Sequence, residues 1–303
     1  TRTYTLVDTN NGNISITADD GDMVLGVITA STDALVGTTG TITITAVSGA
    51  ILDNASDAAA DVLAQSATLS ATDGIGTGAN GSIDVNVDTL TSATSTTGGI
   101  LINLLNDVSA ANSLAADHAV TATLVDATTS GDITLTGTAG AGTRTYTLVD
   151  TNNGNISITA TAGNIAIGTL TASTDAAAGT VGTVSVTATA GNINEVVDDA
   201  AAKIIGDSVT LSASTGIGTA TVLDVNVITV TSATSATGGI RLNLLGDAVA
   251  ANSLAADHAT TVTLADATTS GNVTLTSTTG TGLKTYTLVD TNNGNISITA
   301  TAG

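Results

Sequence analysis

The chain has 303 residues, of which 26 are acidic and only 5 are basic, and its formal net charge is −21. Phe, Trp, Cys and Pro are absent, so an interior must be built from Val, Ile, Leu and Ala, which suits thin layers better than a wide globular core. This composition excludes disulfides and a nucleic-acid partner, and no apolar run approaches the ~18 residues of a membrane-spanning helix.

A long internal repeat organises the chain. The segment Thr-Tyr-Thr-Leu-Val-Asp-Thr-Asn-Asn-Gly-Asn-Ile-Ser-Ile-Thr-Ala begins at Thr3, again at Thr145, and a third time at Thr285. The sequence therefore divides into repeat units at 1–142 and 143–282, with the first coil of a third unit at 283–303. Because the last coil nearly copies the first, and no leader precedes Thr1, we expect a segment of a longer array.

Short alternating runs fill each unit and predict β-strands. In chain order they include Ile14–Thr17, Ile42–Thr45, Ile83–Val87 and Ile133–Thr136, each separated from the next by Gly, Asn or Asp. Comparison of the two copies indicates which side chains face outward. Ile100 and Ile102 stay apolar in the second copy, whereas the residue between them, Leu101, becomes Arg241. Position 101 is therefore predicted to point to solvent.

These runs predict an all-β fold, a parallel β-solenoid. Gly-Asn/Asp-Ile/Val segments start 23 residues apart at Gly131 and Gly154, so a coil should contain about 20–28 residues and a unit about six coils. Two Ala-rich segments, at 57–65 and 105–118, depart from the strand pattern. They are interpreted as irregular or extended coil edges, with short external helices as the alternative, and the conformation of 51–66 and 105–119 is left open.

The thrice-repeated Asp-Thr-Asn-Asn-Gly-Asn segment is predicted to form a tight turn, with Asn and Gly at positive φ and Asn side chains stacking between coils. Calcium binding is the alternative, although the glycine lies one place early for an EF-hand and the downstream glutamate is absent. No cofactor is otherwise expected. The predicted turn residues are Asp8, Asn10, Asn11, Gly12, Asn13, Asp150, Asn152, Asn153, Gly154, Asn155, Asp290, Asn292, Asn293, Gly294 and Asn295.

Asn13, Asn155, Asn272 and Asn295 also satisfy the N-glycosylation pattern, although chance matches are expected in a sequence so rich in Asn, Ser and Thr. The histidines, His118 and His258, occupy one position in the two copies. One histidine per unit cannot form a chelating cluster, so a surface or turn residue is favoured over a weak metal ligand or a pH-sensitive contact.

Catalysis is not expected, because nucleophilic catalysis would have to rely on these isolated histidines and the repetitive surface lacks aromatic and basic groups that grip sugars. Outward threonines, as in Thr41–Thr45, also suggest the flat hydroxyl arrays of ice-binding solenoids. Interruption of the pattern by Asp84, Asn86 and Arg241 argues against that function.

Several phrases resemble the repeats of giant bacterial exoproteins of the filamentous-haemagglutinin and large-adhesin type. They are Gly-Asn-Ile-Ser-Ile-Thr-Ala, Val-Thr-Leu-Ser-Ala-Ser-Thr-Gly-Ile-Gly at 209–218, Thr-Ser-Ala-Thr-Ser-Ala-Thr-Gly-Gly-Ile at 231–240 and Ser-Gly-Asn-Val-Thr-Leu-Thr at 270–276. The resemblance covers essentially the whole chain. It implies a right-handed parallel β-helix stalk on the outside of a bacterium.

The sequence thus predicts a structural, non-catalytic extracellular rod that belongs to a cell-surface filament, stalk or sheath. The alternative is an adhesin whose repeats bind surfaces or host glycans directly through avidity. Expected partners are further copies of the repeat, joined end to end or side by side, and a surface or glycan ligand. Membrane insertion is not expected within this segment.

Overall fold

The computed structural model describes residues 1–30, 40–105, 120–129, 131–152, 154–172, 182–246 and 259–301. All regular secondary structure in these ranges is β-strand, and the strands pair in parallel as the successive coils of a β-solenoid. The predicted fold class is therefore confirmed. Nowhere in these ranges is there a helix long and apolar enough to cross a membrane.

The chain forms two compact units, Thr1–Thr145 and Tyr146–Gly303. The first unit contains the strands β1 (Arg2–Asp8), β2 (Ile14–Ala18), β3 (Met23–Thr29), β4 (Thr41–Ala46), β5 (Ile51–Asp53), β6 (Val62–Ala71), β7 (Ile83–Ser95), β8 (Ile100–Leu105), β9 (Val120–Ala127) and β10 (Ile133–Gly137). Strand β11 (Arg144–Thr151) begins at the boundary.

The second unit repeats this order. Its strands are β12 (Ile156–Ala160), β13 (Ile165–Thr171), β14 (Thr183–Ala188), β15 (Ile193–Glu195), β16 (Ile204–Ala213), β17 (Leu223–Ser235), β18 (Ile240–Leu245), β19 (Thr260–Val262), β20 (Ala265–Ala267), β21 (Val273–Ser277), β22 (Lys284–Tyr286), β23 (Val289–Thr291) and β24 (Ile296–Ala300). The third copy of the repeat thus begins within this unit.

Stacked apolar columns form the core of the first unit. Strand β2 pairs in parallel with β4, β4 with β6, and β6 with β7, which aligns Ile16, Ile44, Leu69 and Ala93 in adjacent coils. Each of these side chains is buried. The column needs only one aliphatic side chain per strand, so the described core consists almost entirely of Ile, Val, Leu and Ala, as predicted, with Met23 and Tyr146 added.

Alternation along the strands places the polar residues outside. Ile100 and Ile102 are buried in β8, while Leu101 between them is half-buried, and Arg241 has the same setting in β18. The outward orientation predicted for position 101 is confirmed. Alternate side chains of a strand point to opposite faces, so this result follows from the pleat of the backbone.

Coil length varies along each unit. The predicted spacing of 23 residues is found where Val273 pairs with Ile296, and β2 pairs with β4 at a spacing of 28 residues. The coil between β8 and β10 is longer, since Ile100 pairs with Ile133. Residues 106–119 of this coil lie outside the described residues.

The first Ala-rich segment forms no helix. An irregular connection follows β5, and β6 begins at Val62, so residues 57–65 form a coil edge that leads into a strand. The favoured interpretation of this segment is confirmed. The second Ala-rich segment lies outside the described residues, except for Leu105, which ends β8.

Candidate functional site

A threonine hydroxyl closes the first predicted turn. The Gly12 N–H donates to Thr9 Oγ1 at 2.8 Å, and that hydroxyl lies 2.9 Å from the Gly12 carbonyl oxygen, to which it can donate. Asn11 adopts a φ of 63°, as predicted for an asparagine here, but the predicted positive φ was wrong for Gly12 and Gly294, the glycines of the first and third turns. Glycine at position 12 leaves room for this hydroxyl, because a Cβ there would lie 2.7 Å from Thr9 Oγ1 and would displace it.

Asparagine side chains in these turns join adjacent coils. Asn13 Oδ1 accepts the Thr41 N–H at 2.9 Å, and Asn155 Oδ1 accepts the Thr183 N–H at 2.9 Å. In the third copy the Asn295 N–H donates at 2.9 Å to the side chain of Asn272, which lies outside the repeated turn. These contacts are side-chain to backbone hydrogen bonds between coils, and the expected stacking of Asn side chains stays a prediction.

The other predicted turn residues lie at equivalent places. Asp8, Asp150 and Asp290 belong to the ends of β1, β11 and β23, and the Asn and Gly residues lie in the connections that follow. Asn153 lies outside the described residues. The asparagines of the glycosylation pattern, which are Asn13, Asn155, Asn272 and Asn295, are exposed, and their modification stays a prediction.

Rows of hydroxyl groups cover the outer face of the ladder formed by β2, β4, β6 and β7. The strand register aligns Ser15, Thr43, Thr68 and Ser92 in one row and Thr17, Thr45, Ser70 and Thr94 in a second. Asp84 and Asn86 belong to the first half of β7, which pairs with the start of β6 and with β8. Arg241 lies in β18. The expectation that these residues interrupt the hydroxyl pattern was therefore wrong for this face.

The most unusual side-chain cluster is a group of buried carboxylates in the first unit, which the sequence analysis did not identify. Asp53, Asp61 and Asp84 are only 5%, 7% and 4% exposed. The Asp84 N–H donates to Asp61 Oδ2 at 2.8 Å, and Asn103 Nδ2 donates to Asp84 Oδ1 at 2.6 Å. A cleft of about 160 Å³, lined in part by Asp53, Asp57 and Asp61, opens beside them.

The second unit has the same site with one change of charge. Glu195, Lys203 and Asp224 replace Asp53, Asp61 and Asp84, and all three are buried. Lys203 Nζ lies 2.7 Å from Asp199 Oδ1. Asn243 Nδ2 donates to Asp224 Oδ1 at 2.6 Å, as Asn103 does to Asp84. A buried ammonium group thus stands where the first unit has a third carboxyl group.

Burial shifts the protonation of both sites. Loss of solvation, together with the charges of Asp53 and Asp84, raises the pKa of Asp61 to about 8, although the Asp84 N–H opposes the shift. In the second unit, loss of solvation and the charge of Asp224 raise the pKa of Glu195 to about 7, with Lys203 opposing them. The pKa of Asp84 and that of Asp224 are also raised, chiefly by burial.

These carboxyl groups can hold protons, but their arrangement is not that of a metal centre. Within the described ranges, no three or more His, Cys, Asp or Glu side chains are grouped so that they could bind a metal ion. His118 and His258 lie outside those ranges, as do the aspartates that precede them. The expectations about histidine, calcium and catalysis therefore stay predictions.

Comparison with known proteins gives no match: no protein-family model, no curated protein and no solved structure is significantly similar to the chain.

Proposed function

We propose that the chain is a structural, non-catalytic part of an extracellular solenoid rod, and that the rod belongs to a filament, stalk or sheath on a bacterial surface. We also propose that its repeats are related to those of filamentous-haemagglutinin-type exoproteins, which they resemble. Further copies of the repeat, added end to end or side by side, are its principal partners.

One observation carries this proposal. Inside the second unit, β22, β23 and β24 of the third copy stack on β19, β20 and β21 of the second copy in continuous parallel register. The start of one repeat therefore satisfies the strand edges left by the end of the repeat before it. A chain built in this way can lengthen by whole repeats without a new fold, which is the property that a stalk or filament needs.

The surface and composition also support a mechanical role. Continuous strand pairing leaves few openings, and the scarcity of basic and aromatic residues removes most cleavage points for trypsin-like and chymotrypsin-like proteases. Such resistance suits material outside a cell. Within the described residues, the buried side chains of Asn103 and Asn243 join coils through hydrogen bonds to Asp84 and Asp224.

The direct test is immuno-electron microscopy of intact source cells with an antibody against the thrice-repeated Thr-Tyr-Thr-Leu-Val-Asp segment. Label spaced along thin projections would support a stalk or filament, and a continuous labelled layer would support a sheath. Cells that lack the gene are the control. Label confined to the cytoplasm of sectioned cells would contradict the proposal.

The hydroxyl rows favour one alternative, an adhesin whose repeats bind glycans or ordered surfaces directly. Ser and Thr side chains recur at fixed spacing on four successive strands, so weak contacts could add up through avidity. The test is binding of the 303-residue chain to immobilised glycans, compared with a Thr43→Val and Thr68→Val variant. Binding that the double variant loses would favour the adhesin over the passive rod, and no binding by the chain itself would argue against the adhesin.

A further inference from the structure

We propose that Asp53, Asp61 and Asp84 form a proton-binding site that makes the first repeat lose stability as the pH rises toward 8, whereas Lys203 limits this loss in the second repeat.

Burial of three carboxyl groups without a basic neighbour favours proton uptake at this site. Asp53, Asp61 and Asp84 are only 5%, 7% and 4% exposed, and the Asp84 N–H donates to Asp61 Oδ2 at 2.8 Å, so little solvent is available to screen their charges. The charged groups that act on Asp61 and Asp84 are Asp53 at the end of β5, Asp57 in the connection after it, and each other. None of them is basic, so the uptake of one proton is the smallest change that reduces the repulsion among the three carboxylates.

The second repeat identifies the charge that the first one lacks. Lys203 takes the place of Asp61, and its backbone N–H donates to the Asp224 carbonyl at 2.9 Å, just as the Asp61 N–H donates to the Asp84 carbonyl at 2.8 Å. The backbone of the site is therefore the same in both repeats. The charge differs, since Lys203 carries a positive charge covalently, whereas the three carboxylates of the first repeat can reduce their negative charge only by taking up protons from solution.

A proton fits the site better than a metal ion. The three carboxyl groups are not grouped as metal ligands among the described residues. Two of them are also committed to donors of the protein, Asp61 to the Asp84 N–H and Asp84 to Asn103. The adjoining cleft gives solvent a route for proton exchange.

The direction of the pH effect follows from linkage. The pKa of Asp61 rises from 3.8 in an unfolded chain to about 8 in the folded one, so the folded state holds a proton that the unfolded state loses. Stability from this group is complete below about pH 4 and is lost as the pH rises toward 8. Glu195 has a folded pKa of about 7, so most of the stability that its proton contributes is already lost at pH 7. From pH 7 to pH 8 the loss therefore belongs mainly to the first repeat.

Hydrogen exchange with mass spectrometry tests this proposal on the whole chain, since peptides from 51–71 and 193–213 differ in sequence and report the two sites separately. Rates are corrected for intrinsic exchange and compared at pH 5, 7 and 9. Each proton released on opening changes the opening equilibrium by up to about tenfold per pH unit. We expect the first peptide to lose protection between pH 7 and 9 by about tenfold, and the second peptide to change much less.

Two variants separate the titration from a general loss of folding. Asp61→Asn keeps the shape but cannot ionise, and Asp61→Lys copies the second repeat, so each should remove most of the loss between pH 7 and 9. The unsubstituted chain alone decides the question if neither variant folds. Equal protection of 51–71 at pH 7 and 9, or an undiminished loss in Asp61→Asn, would overturn the proposal. So would recovery at pH 9 with calcium chloride but not with sodium chloride of equal ionic strength, since the occupant would then be a metal ion.

Discussion

Replacement of Lys203 with methionine is expected to destabilise the second repeat by about 2–3 kcal/mol at pH 8. Lys203 is only 6% exposed, and its charge lowers the pKa of Glu195 and that of Asp224, which are exposed by 4% and 3%. Removal of one partner from a fully buried ion pair costs about 3–5 kcal/mol. The loss expected here is smaller, because the ion-pair partner of Lys203 is Asp199, which is 45% exposed and keeps part of its solvation. In the Lys203→Met variant, Glu195 can take up a proton. Because its pKa is about 7, protonation at pH 8 costs about 1.4 kcal/mol, and this is the largest loss of stability that Glu195 can cause. The remainder comes from Asp224.

The loss should shrink to about 1 kcal/mol at pH 5, because Glu195 is then protonated with or without the lysine. Hydrogen exchange of 193–213 gives the opening free energy at both values of pH. Asp61→Met at the equivalent position is the matched control, and it should stabilise the first repeat at pH 8 by removing one of three buried carboxyl groups. Equal losses at pH 5 and 8, or a loss in Asp61→Met as large as in Lys203→Met, would refute the electrostatic reasoning.

Three further predictions concern the first repeat and can be measured by thermal or urea unfolding. Gly76→Ala should lower the free energy of unfolding by at least about 2 kcal/mol, because Gly76 has a φ of 68° and a Cβ would lie 2.0 Å from the Leu101 carbonyl oxygen. The control is Gly81→Ala, which should cost only about 1 kcal/mol, because Gly81 has a φ of 101° but nothing lies within 4 Å of the added Cβ. Ile102→Ala should cost about 2–5 kcal/mol by opening a cavity in the core, whereas Leu101→Ala should cost less than about 1 kcal/mol; similar values would contradict the assigned faces. Asn103→Asp should lower stability by about 1–3 kcal/mol at pH 8 and less at pH 5, since it replaces the donor to Asp84 with another acid; an equal effect at both values of pH would argue against this cause.

Much of the fold could be predicted because its signals are local. Alternation at Ile14–Thr17, the repeat beginning at Thr3 and the change from Leu101 to Arg241 each reveal strands, coils or faces without knowledge of distant contacts. The pleat sends successive side chains to opposite sides, so a few residues suffice to assign a face. The turn at Asn13 was also predicted from the repeat, but the hydrogen bond that Asn13 Oδ1 accepts from the Thr41 N–H in the next coil was not.

The carboxylate site could not be predicted in the same way, although it left one signal. Asp53 follows Ile51 by two residues in the same strand, so both side chains point to the inward face. The aligned copies also exchange Asp61 for Lys203, which draws attention to the charge at this position. Neither fact says that Asp84, from a different coil, lies against Asp61. The hydroxyl rows show the same limit, because the sequence does not tell whether Asp84 shares a face with Thr68.

The sequence by itself determined that this chain is a repetitive, acidic, parallel β-solenoid and which side of most strands is buried. Only the tertiary structure decided which side chains meet across coils, at the carboxylate site and along the hydroxyl rows. The physical reason is that the orientation of a side chain depends on the adjacent peptide units, whereas contacts between coils depend on the length and register of every connection between them. Those connections vary within one repeat, as the pairing of Ile100 with Ile133 illustrates.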